Sequence, residues 1–323
     1  MSHALTVPQT GGTEVLTLAP QERPEPGPGE VVVEVAASGV NFIDVYQREG
    51  RYPMTTPFTL GMEGAGRVVA VGEGVTEPAV SDTVAWAMVN GSAATYAVVP
   101  AARTAPVPDG VDPVVAAAAM LQGMTAHFLV NSTFACGPDT VALVHAAAGG
   151  VGQLLVQMLK AKGTMVIATA GGPEKCATAA SRGADVVIDY NAVDDLAAEV
   201  RAAAGRGVDV VYDGVGASTF DASLASLRPR GLLVIFGGAS GAVPPFDVQR
   251  LNSGGSLFVT RPTLHHYTAD RDELLWRASE VFAAVKCGTL DIAIGRRYPL
   301  AEAATAYDAL EGRATQGKLV LLP

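Results

Sequence analysis

The chain has 323 residues, 49% hydrophobic and 17% charged. That is enough for two domains with their own cores and excludes a disordered protein. Its net charge of −10 and pI of about 5.0, with no Lys/Arg runs, argue against a nucleic-acid partner, which needs a basic footprint. Cys136, Cys176 and Cys287 stand too far apart for a disulfide framework or a zinc cluster and suit a reducing compartment.

The opening "MSHALTVPQTGG" lacks a basic segment followed by an apolar one, so no signal peptide is expected. Up to residue 122, "GEVVVEVAAS", "GRVVAVG", "DTVAWAM" and "ATYAVVP" are short Val-rich runs bounded by Gly, Pro and Asp. They predict a β-rich domain with few helices. Pro24, Pro26 and Pro28 make a stiff connection rather than a strand. The run "DPVVAAAAML" reads as too short and too rich in alanine to span a bilayer, so a cytoplasmic protein without a membrane partner is expected.

From Thr140 the pattern alternates between strand and helix. "TVALVHAA", "TMVIATA", "DVVIDY", "VDVVYDGVG", "GLLVIFGG" and "SLFVTRP" are apolar along both faces, as strands of a covered parallel sheet are. Six such strands fit the dinucleotide-binding double winding. After about Pro262, "RDELLWRASEVFAAVKCG" predicts a helix with Leu274, Ala278, Val281, Phe282 and Val285 on one face. "AEAATAYDAL" reads as a further helix and "GKLVLLP" as a closing strand. This tail is too short for a domain and is expected to pack back on the first. The expected boundaries are therefore 1–122, 123–261 and 262–323.

Between the first strand of the alternating region and its helix lies "VHAAAGGVGQ". Aligned to G-x-G-x-x-G it runs from Ala147 to Gly152, with Ala147 in place of the first glycine. Gly149 leaves room for a pyrophosphate, Gly152 lets helix and strand pack closely, and Gly150 and Val151 open the helix whose free N–H groups face the phosphates. His145, inside the strand, reads as a satisfied core histidine. NAD sites usually carry Asp or Glu at the tip of the second strand, to accept from the ribose 2′-OH. Here the tip runs from Ala168 through Gly171 to Gly172 with no carboxylate, Lys175 follows, and Tyr190 ends the third strand. That favours NADPH, although Glu174 weighs against it, and Lys175 and Tyr190 are alternatively a solvated helix residue and a packed aromatic.

"LVHAAAGGVGQLLVQMLK", "GVNFIDVYQREGRYP", "YDGVG", "SLFVTRPTL" and "RATQGKLVLLP" resemble the zeta-crystallin-like quinone oxidoreductases of the medium-chain dehydrogenase/reductase superfamily over nearly the whole chain. The resemblance implies an α/β fold: a chaperonin-10-like β-rich catalytic domain, an inserted Rossmann domain with a doubly wound parallel six-stranded sheet, and a C-terminal return. It also implies NADPH-dependent reduction of a small-molecule quinone by a homodimer. The zinc alcohol dehydrogenases of the superfamily have Cys where this chain has Asn41 and His where it has Met62. Neither residue replaces a thiolate or imidazole ligand, although Glu63 remains, so no metal is expected.

By resemblance, Asn41, Asp44 and Tyr46 face the substrate and hold the nicotinamide end. Tyr46 either hydrogen-bonds a quinone oxygen or packs as an aromatic, Asp44 alternatively caps a short helix, and Tyr52 lines the pocket. Further cofactor contacts carry over to Thr125, Val215, Phe236, Gly237, Gly238, Thr260, Arg261 and Lys318, the last two being alternatively surface salt-bridge residues. Asp213 reads as a structural strand-end carboxylate, and Asp194 and Asp195 as a solvated face. Two other functions remain open: reduction of an enone or alkenal on the same fold, and a nucleotide-holding protein without catalysis.

Overall fold

The computed structural model describes residues 2–312 and 315–323, so Met1 and the Arg313 and Ala314 of "RATQGKLVLLP" lie outside the described residues. The chain divides into two compact units. One comprises the residues up to Met124 together with Tyr267–Pro323, the other Thr125–His266.

The first unit begins with β1 (His3–Val7), β2 (Thr17–Pro20), β3 (Glu30–Gly39), α1 (Phe42–Arg48), β4 (Phe58–Thr59) and β5 (Glu63–Val71). It continues with β6 (Thr83–Ala87), β7 (Tyr96–Pro100), β8 (Thr104–Pro106) and most of α2 (Pro113–Phe128). β1 pairs antiparallel with β2 and β4. β3 pairs antiparallel with both β5 and β7, and its Val31, Val33 and Val35 pack with Val68, Val84, Trp86 and Val99 into one core. Central placement explains why "VVV" in β3 is apolar on both faces.

α2 runs on into a π-helical turn, Leu129–Thr133. The expectation of a run too short to cross a bilayer therefore needs correction. Pro113–Thr133 spans 21 residues, because the uncharged "QGMTAHFLVNST" continues the helix, and 72% of its most apolar window is buried within the protein. Burial among the chain's own residues accounts for that apolarity.

The second unit contains β9 (Val141–Val144), α3 (Gly150–Ala161), β10 (Met165–Ala170), α4 (Pro173–Ser181), β11 (Val186–Asp189) and α5 (Leu196–Ala204). Then follow β12 (Val208–Asp213), α6 (Phe220–Ser226), β13 (Leu227–Ile235), α7 (Gln249–Ser253) and β14 (Phe258–Thr260). All six strands are parallel, in the order β11-β10-β9-β12-β13-β14. This is the doubly wound sheet expected from the alternating pattern, with β9 and β12 at its centre, where the strand order reverses.

The chain returns to the first unit as α8 (Arg271–Lys286), β15 (Ile294–Pro299), α9 (Ala303–Glu311) and β16 (Lys318–Leu322). β16 pairs antiparallel with β3 and parallel with β15, giving a seven-stranded sheet in the order β15-β16-β3-β5-β6-β8 with β7 on β3. α8 buries Leu274, Ala278, Val281 and Phe282 as its periodicity predicts, but Val285 is only half-buried. Arg277 is buried there instead, because Tyr267 O and Glu273 satisfy its guanidinium.

Candidate functional site

After β9 the backbone turns sharply. His145 N donates to Tyr212 O at 3.0 Å, Ala147 N to Thr169 O at 3.0 Å, and Gly149 N to Ala146 O at 2.9 Å. Ala146 adopts φ of +50°, unusual for a residue with a side chain, and it turns the chain into α3. A Cβ on Gly152 would lie 2.3 Å from Ala146 O and 2.8 Å from Ala147 Cα, so only glycine fits there. A Cβ on Gly149 would meet a single atom, Ala146 O at 3.1 Å, and that side of the turn is otherwise open. Among the described residues no side chain caps the 12-residue α3, so its first N–H groups and its positive dipole end at Gly150 and Val151 suit a phosphate. A cradle of this kind fits a dinucleotide's pyrophosphate.

At the end of β10, Gly171 and Gly172 lie beside Tyr190, which follows β11 and whose N donates to Ala170 O at 3.1 Å. A Cβ on Gly171 would come within 2.4 Å of the Tyr190 hydroxyl oxygen. The Tyr190 ring is 48% exposed, and Lys175 stands in the first turn of α4. A cation there opposes the helix dipole, which a bound anion would offset. The tip of the second strand carries no carboxylate of its own, but one reaches it from the neighbouring strand. Asp189, at the end of β11, places Oδ1 3.0 Å from both Gly172 N and Asn191 N, and these two bonds hold its carboxyl below the usual range. It comes from the third strand, so inspection of the second strand missed it. The signal was the "VVIDY" of the strand paired in parallel with β10.

The other cofactor candidates in this unit follow the C-terminal ends of β12, β13 and β14. Val215 N donates to Asp213 Oδ1 at 2.8 Å. A Cβ on Gly237 would lie 2.4 Å from Gly214 O, so the loop carrying Phe236, Gly237 and Gly238 approaches the one after β12 closely. Thr260 ends β14, and the exposed Arg261 donates to Ile235 O at 3.3 Å and Pro262 O at 3.4 Å. Thr125 lies in α2 at the start of this unit, 8% exposed. Asp195 caps α5, accepting from Ala198 N at 3.0 Å, and Asp194 is exposed.

The remaining candidates lie in the first unit. Asn41 is fully committed: Nδ2 donates to Glu63 Oε2 at 2.9 Å and to Gly39 O at 3.2 Å, and Oδ1 accepts from Lys318 Nζ at 2.6 Å. Lys318 Nζ also lies 2.5 Å from Glu63 Oε2, and Glu63 Oε1 accepts from Leu121 N at 2.6 Å. Lys318 is 2% exposed, which rules out a surface ion pair; a buried carboxylate and an amide oxygen are its partners. Asp44 reaches back from the first turn of α1, its Oδ2 accepting from Asn41 N at 2.9 Å and from the Tyr307 hydroxyl at 3.0 Å. Burial raises its carboxyl from 3.8 to about 7, and Oδ1 has no partner among the described residues. Asn41, Asp44 and Lys318 thus meet in one buried cluster with Glu63 and Tyr307, two residues that sequence reading did not assign to a site. Tyr46 is half-buried, edge-on to Tyr52 at 5.5 Å and with the Arg51 guanidinium 5.5 Å from its ring centre.

This donor set does not fit a catalytic zinc. Met62 offers a thioether that accepts from Gln47 Nε2 at 3.3 Å, and Lys318 already supplies the positive charge beside Glu63. Among the described residues no group of three His, Cys, Asp or Glu side chains gathers as a metal site.

Residues 27–109 match the family described as the alcohol dehydrogenase GroES-like domain, and residues 150–268 the zinc-binding dehydrogenase family. A quinone oxidoreductase of Pseudomonas aeruginosa is 43% identical, covering 97% of each chain. The chain belongs to the quinone oxidoreductase family. Among solved structures of similar proteins, the Escherichia coli quinone oxidoreductase complexed with NADPH superposes with a TM-score of 0.97 at 39% identity, covering 99% of this chain and 100% of that one. A mycobacterial protein complexed with NADPH gives 0.96 at 48% identity over the whole of both chains. A 2-haloacrylate reductase of a Burkholderia species is 38% identical over 100% of this chain and 99% of its own.

Proposed function

We propose that this protein reduces quinones with NADPH by hydride transfer, without a metal. The observation that carries the reading is the likeness, over the whole chain, to quinone oxidoreductases solved with NADPH. The cofactor supplies the hydride when bound; the protein binds, orients and excludes water. Gly149, Gly150 and Val151 receive the pyrophosphate at the α3 N-terminus. Gly171, Lys175 and Tyr190 receive the 2′-phosphate. Val215, Phe236, Gly237, Gly238, Thr260, Arg261 and Thr125 line the rest of the nucleotide path, and Asn41, Asp44, Tyr46 and Lys318 serve the reacting end, with residues 1–122 and 262–323 as the catalytic part. An electron-poor quinone ring accepts hydride with little polarisation, so Asn41 and Met62 in place of metal ligands do not stand against the reaction. The partner is a small-molecule quinone rather than nucleic acid or a membrane, and the location cytoplasmic. Phe258, 59% exposed on the edge strand β14, supports a homodimer that pairs this edge with its two-fold mate.

Likeness to a 2-haloacrylate reductase favours a second reading on the same fold, reduction of an activated C=C bond. One panel tests both: steady-state oxidation of NADPH and of NADH with 1,4-benzoquinone and with an α,β-unsaturated ketone. Fast turnover of NADPH with the quinone is expected. Preference for the ketone moves the assignment to the second reading, and no turnover with any acceptor leaves a nucleotide-holding protein. Lys175→Ala should weaken NADPH by about 1.5–3 kcal/mol and leave NADH nearly unchanged; equal losses would remove Lys175 from the phosphate site.

A further inference from the structure

We propose that His145, Ser223 and Asp213 form a buried positioning network that holds three loops of the dinucleotide site in register without touching the cofactor. The inference rests on the NADPH reading above. His145 Nε2 lies 3.1 Å from Ser223 Oγ, and Ser223 Oγ lies 2.8 Å from Asp213 Oδ2. On the other side of the ring, His145 Nδ1 lies 2.9 Å from Thr169 Oγ1. All four residues are at most 1% exposed.

The order of the three excludes a hydrolytic triad. There the histidine stands between serine and carboxylate and the serine is open to substrate; here the serine stands in the middle and is sealed. The hydrogen positions follow from the far end. Asp213 Oδ1 accepts from Val215 N at 2.8 Å and Gly216 N at 3.0 Å, and Oδ2 from Thr219 Oγ1 at 2.7 Å and from Ser223. Ser223 spends its only hydrogen on Asp213, so it accepts from His145 Nε2–H. Burial keeps the imidazole neutral, so Nδ1 is an acceptor and Thr169 is its donor. Every donor in the chain has one acceptor, and the ring has one orientation.

Each end of the network meets a loop that carries cofactor candidates. His145 immediately precedes the Ala146 turn that leads to Gly149. Thr169 stands two residues before Gly171. Asp213 fixes the N–H groups of Val215 and Gly216. Backbone bonds join the same strands, His145 N to Tyr212 O and Ala147 N to Thr169 O, but they do not set the angle at which each loop leaves the sheet. The side-chain network does, and a misplacement of a few tenths of an ångström is felt by every phosphate contact at once.

Ser223→Ala removes the central hydroxyl, and Thr169→Val removes the outer donor while keeping the shape of the side chain. Dissociation constants for NADPH and NADH are measured by fluorescence titration, alongside kcat at saturating cofactor and the melting temperature. Either variant should weaken both dinucleotides by the same factor, about 3- to 30-fold, with kcat changed less than about twofold. A lowered melting temperature with unchanged dissociation constants in both variants would overturn the proposal and make the network plain core. A loss confined to NADPH would overturn it too, by placing the effect at the 2′-phosphate. If Ser223→Ala fails to fold, Thr169→Val decides alone. Wild-type protein that binds neither dinucleotide would defeat the underlying NADPH reading, an outcome visible before any variant is made.

Discussion

Asp213 and Asp44 are both fully buried carboxyl groups, one in each unit. Asp213 receives four donors, two on each oxygen. Asp44 receives two, both on Oδ2, and its Oδ1 has none among the described residues. The difference follows from the backbone around them. Asp213 ends a parallel strand, where the following turn directs successive N–H groups at one point, Thr219 at the start of α6 adds one hydroxyl and Ser223 within it a second. Asp44 sits on a seven-residue helix whose N-cap residue offers it the N–H of Asn41, while Arg48, one turn further on, has no partner for Nε and Nη1 among the described residues. A carboxylate supplied with four donors holds loops in place; one supplied with two is lifted to about 7 and exchanges a proton near neutrality.

Asparagine at each position should show the largest contrast. Asp213→Asn turns an NH2 group toward donors and is expected to cost about 3–5 kcal/mol in a urea titration, the usual penalty for breaking a buried charged network. Asp44→Asn keeps an acceptor for Asn41 and Tyr307 and removes a charge that is expensive to bury. At pH 7 it should therefore be at least as stable as the parent protein. Equal costs at the two sites would erase the distinction between them.

The second unit was far more legible in the sequence than the cluster around Asp44. Strands apolar on both faces, with Gly149 before α3 and Gly152 in its first turn, can build little except a doubly wound sheet, and His145 was readable as a satisfied core residue. Asp189 escapes linear inspection because its partner Gly172 lies in the turn that follows the neighbouring strand, 17 positions away. The first unit resisted further. Its buried cluster joins Asn41, at the N-cap of α1, with Glu63, Tyr307 and Lys318 from β5, α9 and β16, separated by up to 277 positions. Only the pairing of β16 with β3 brings Lys318 to Asn41. Nothing local to "GKLVLLP" distinguishes that buried lysine from a solvated one, just as nothing local to "DPVVAAAAML" shows where its helix ends.

The two units should also respond oppositely to pH. Asp44 ionises at 3.8 when unfolded and at about 7 when folded. Between these values the folded state holds the extra proton, so this group's stabilisation is complete below pH 3.8 and is lost as pH rises, at about 1.4 kcal/mol per pH unit. His145 is displaced the other way: burial lowers its imidazole below 6.5. There the unfolded state takes up the proton first, so stability falls as pH drops below 6.5. Urea midpoints measured from pH 5 to 8 should therefore lose their decline toward alkaline pH in Asp44→Asn and part of their decline toward acid in His145→Gln. An unchanged profile in Asp44→Asn would mean that its carboxyl is ionised throughout.

The smallest effect is expected at Tyr46. Its ring is held by Tyr52 at 5.5 Å and by the Arg51 guanidinium at 5.5 Å, and Tyr46→Phe keeps the ring and these contacts. Stability should change by less than about 1 kcal/mol, because only a hydroxyl is removed. Catalysis is the sharper test. A donor aimed at a localised oxyanion is worth about 2.7–4 kcal/mol at the barrier, but a quinone spreads the incoming charge over its ring and both oxygens. Turnover with 1,4-benzoquinone should therefore fall by less than about tenfold, or 1.4 kcal/mol. With an α,β-unsaturated ketone, whose charge gathers on one oxygen, the loss should be larger. Equal and large losses with both acceptors would make the Tyr46 hydroxyl the principal electrophile. No loss with either would leave hydride transfer to geometry and acceptor potential, and Tyr46 to packing against Tyr52.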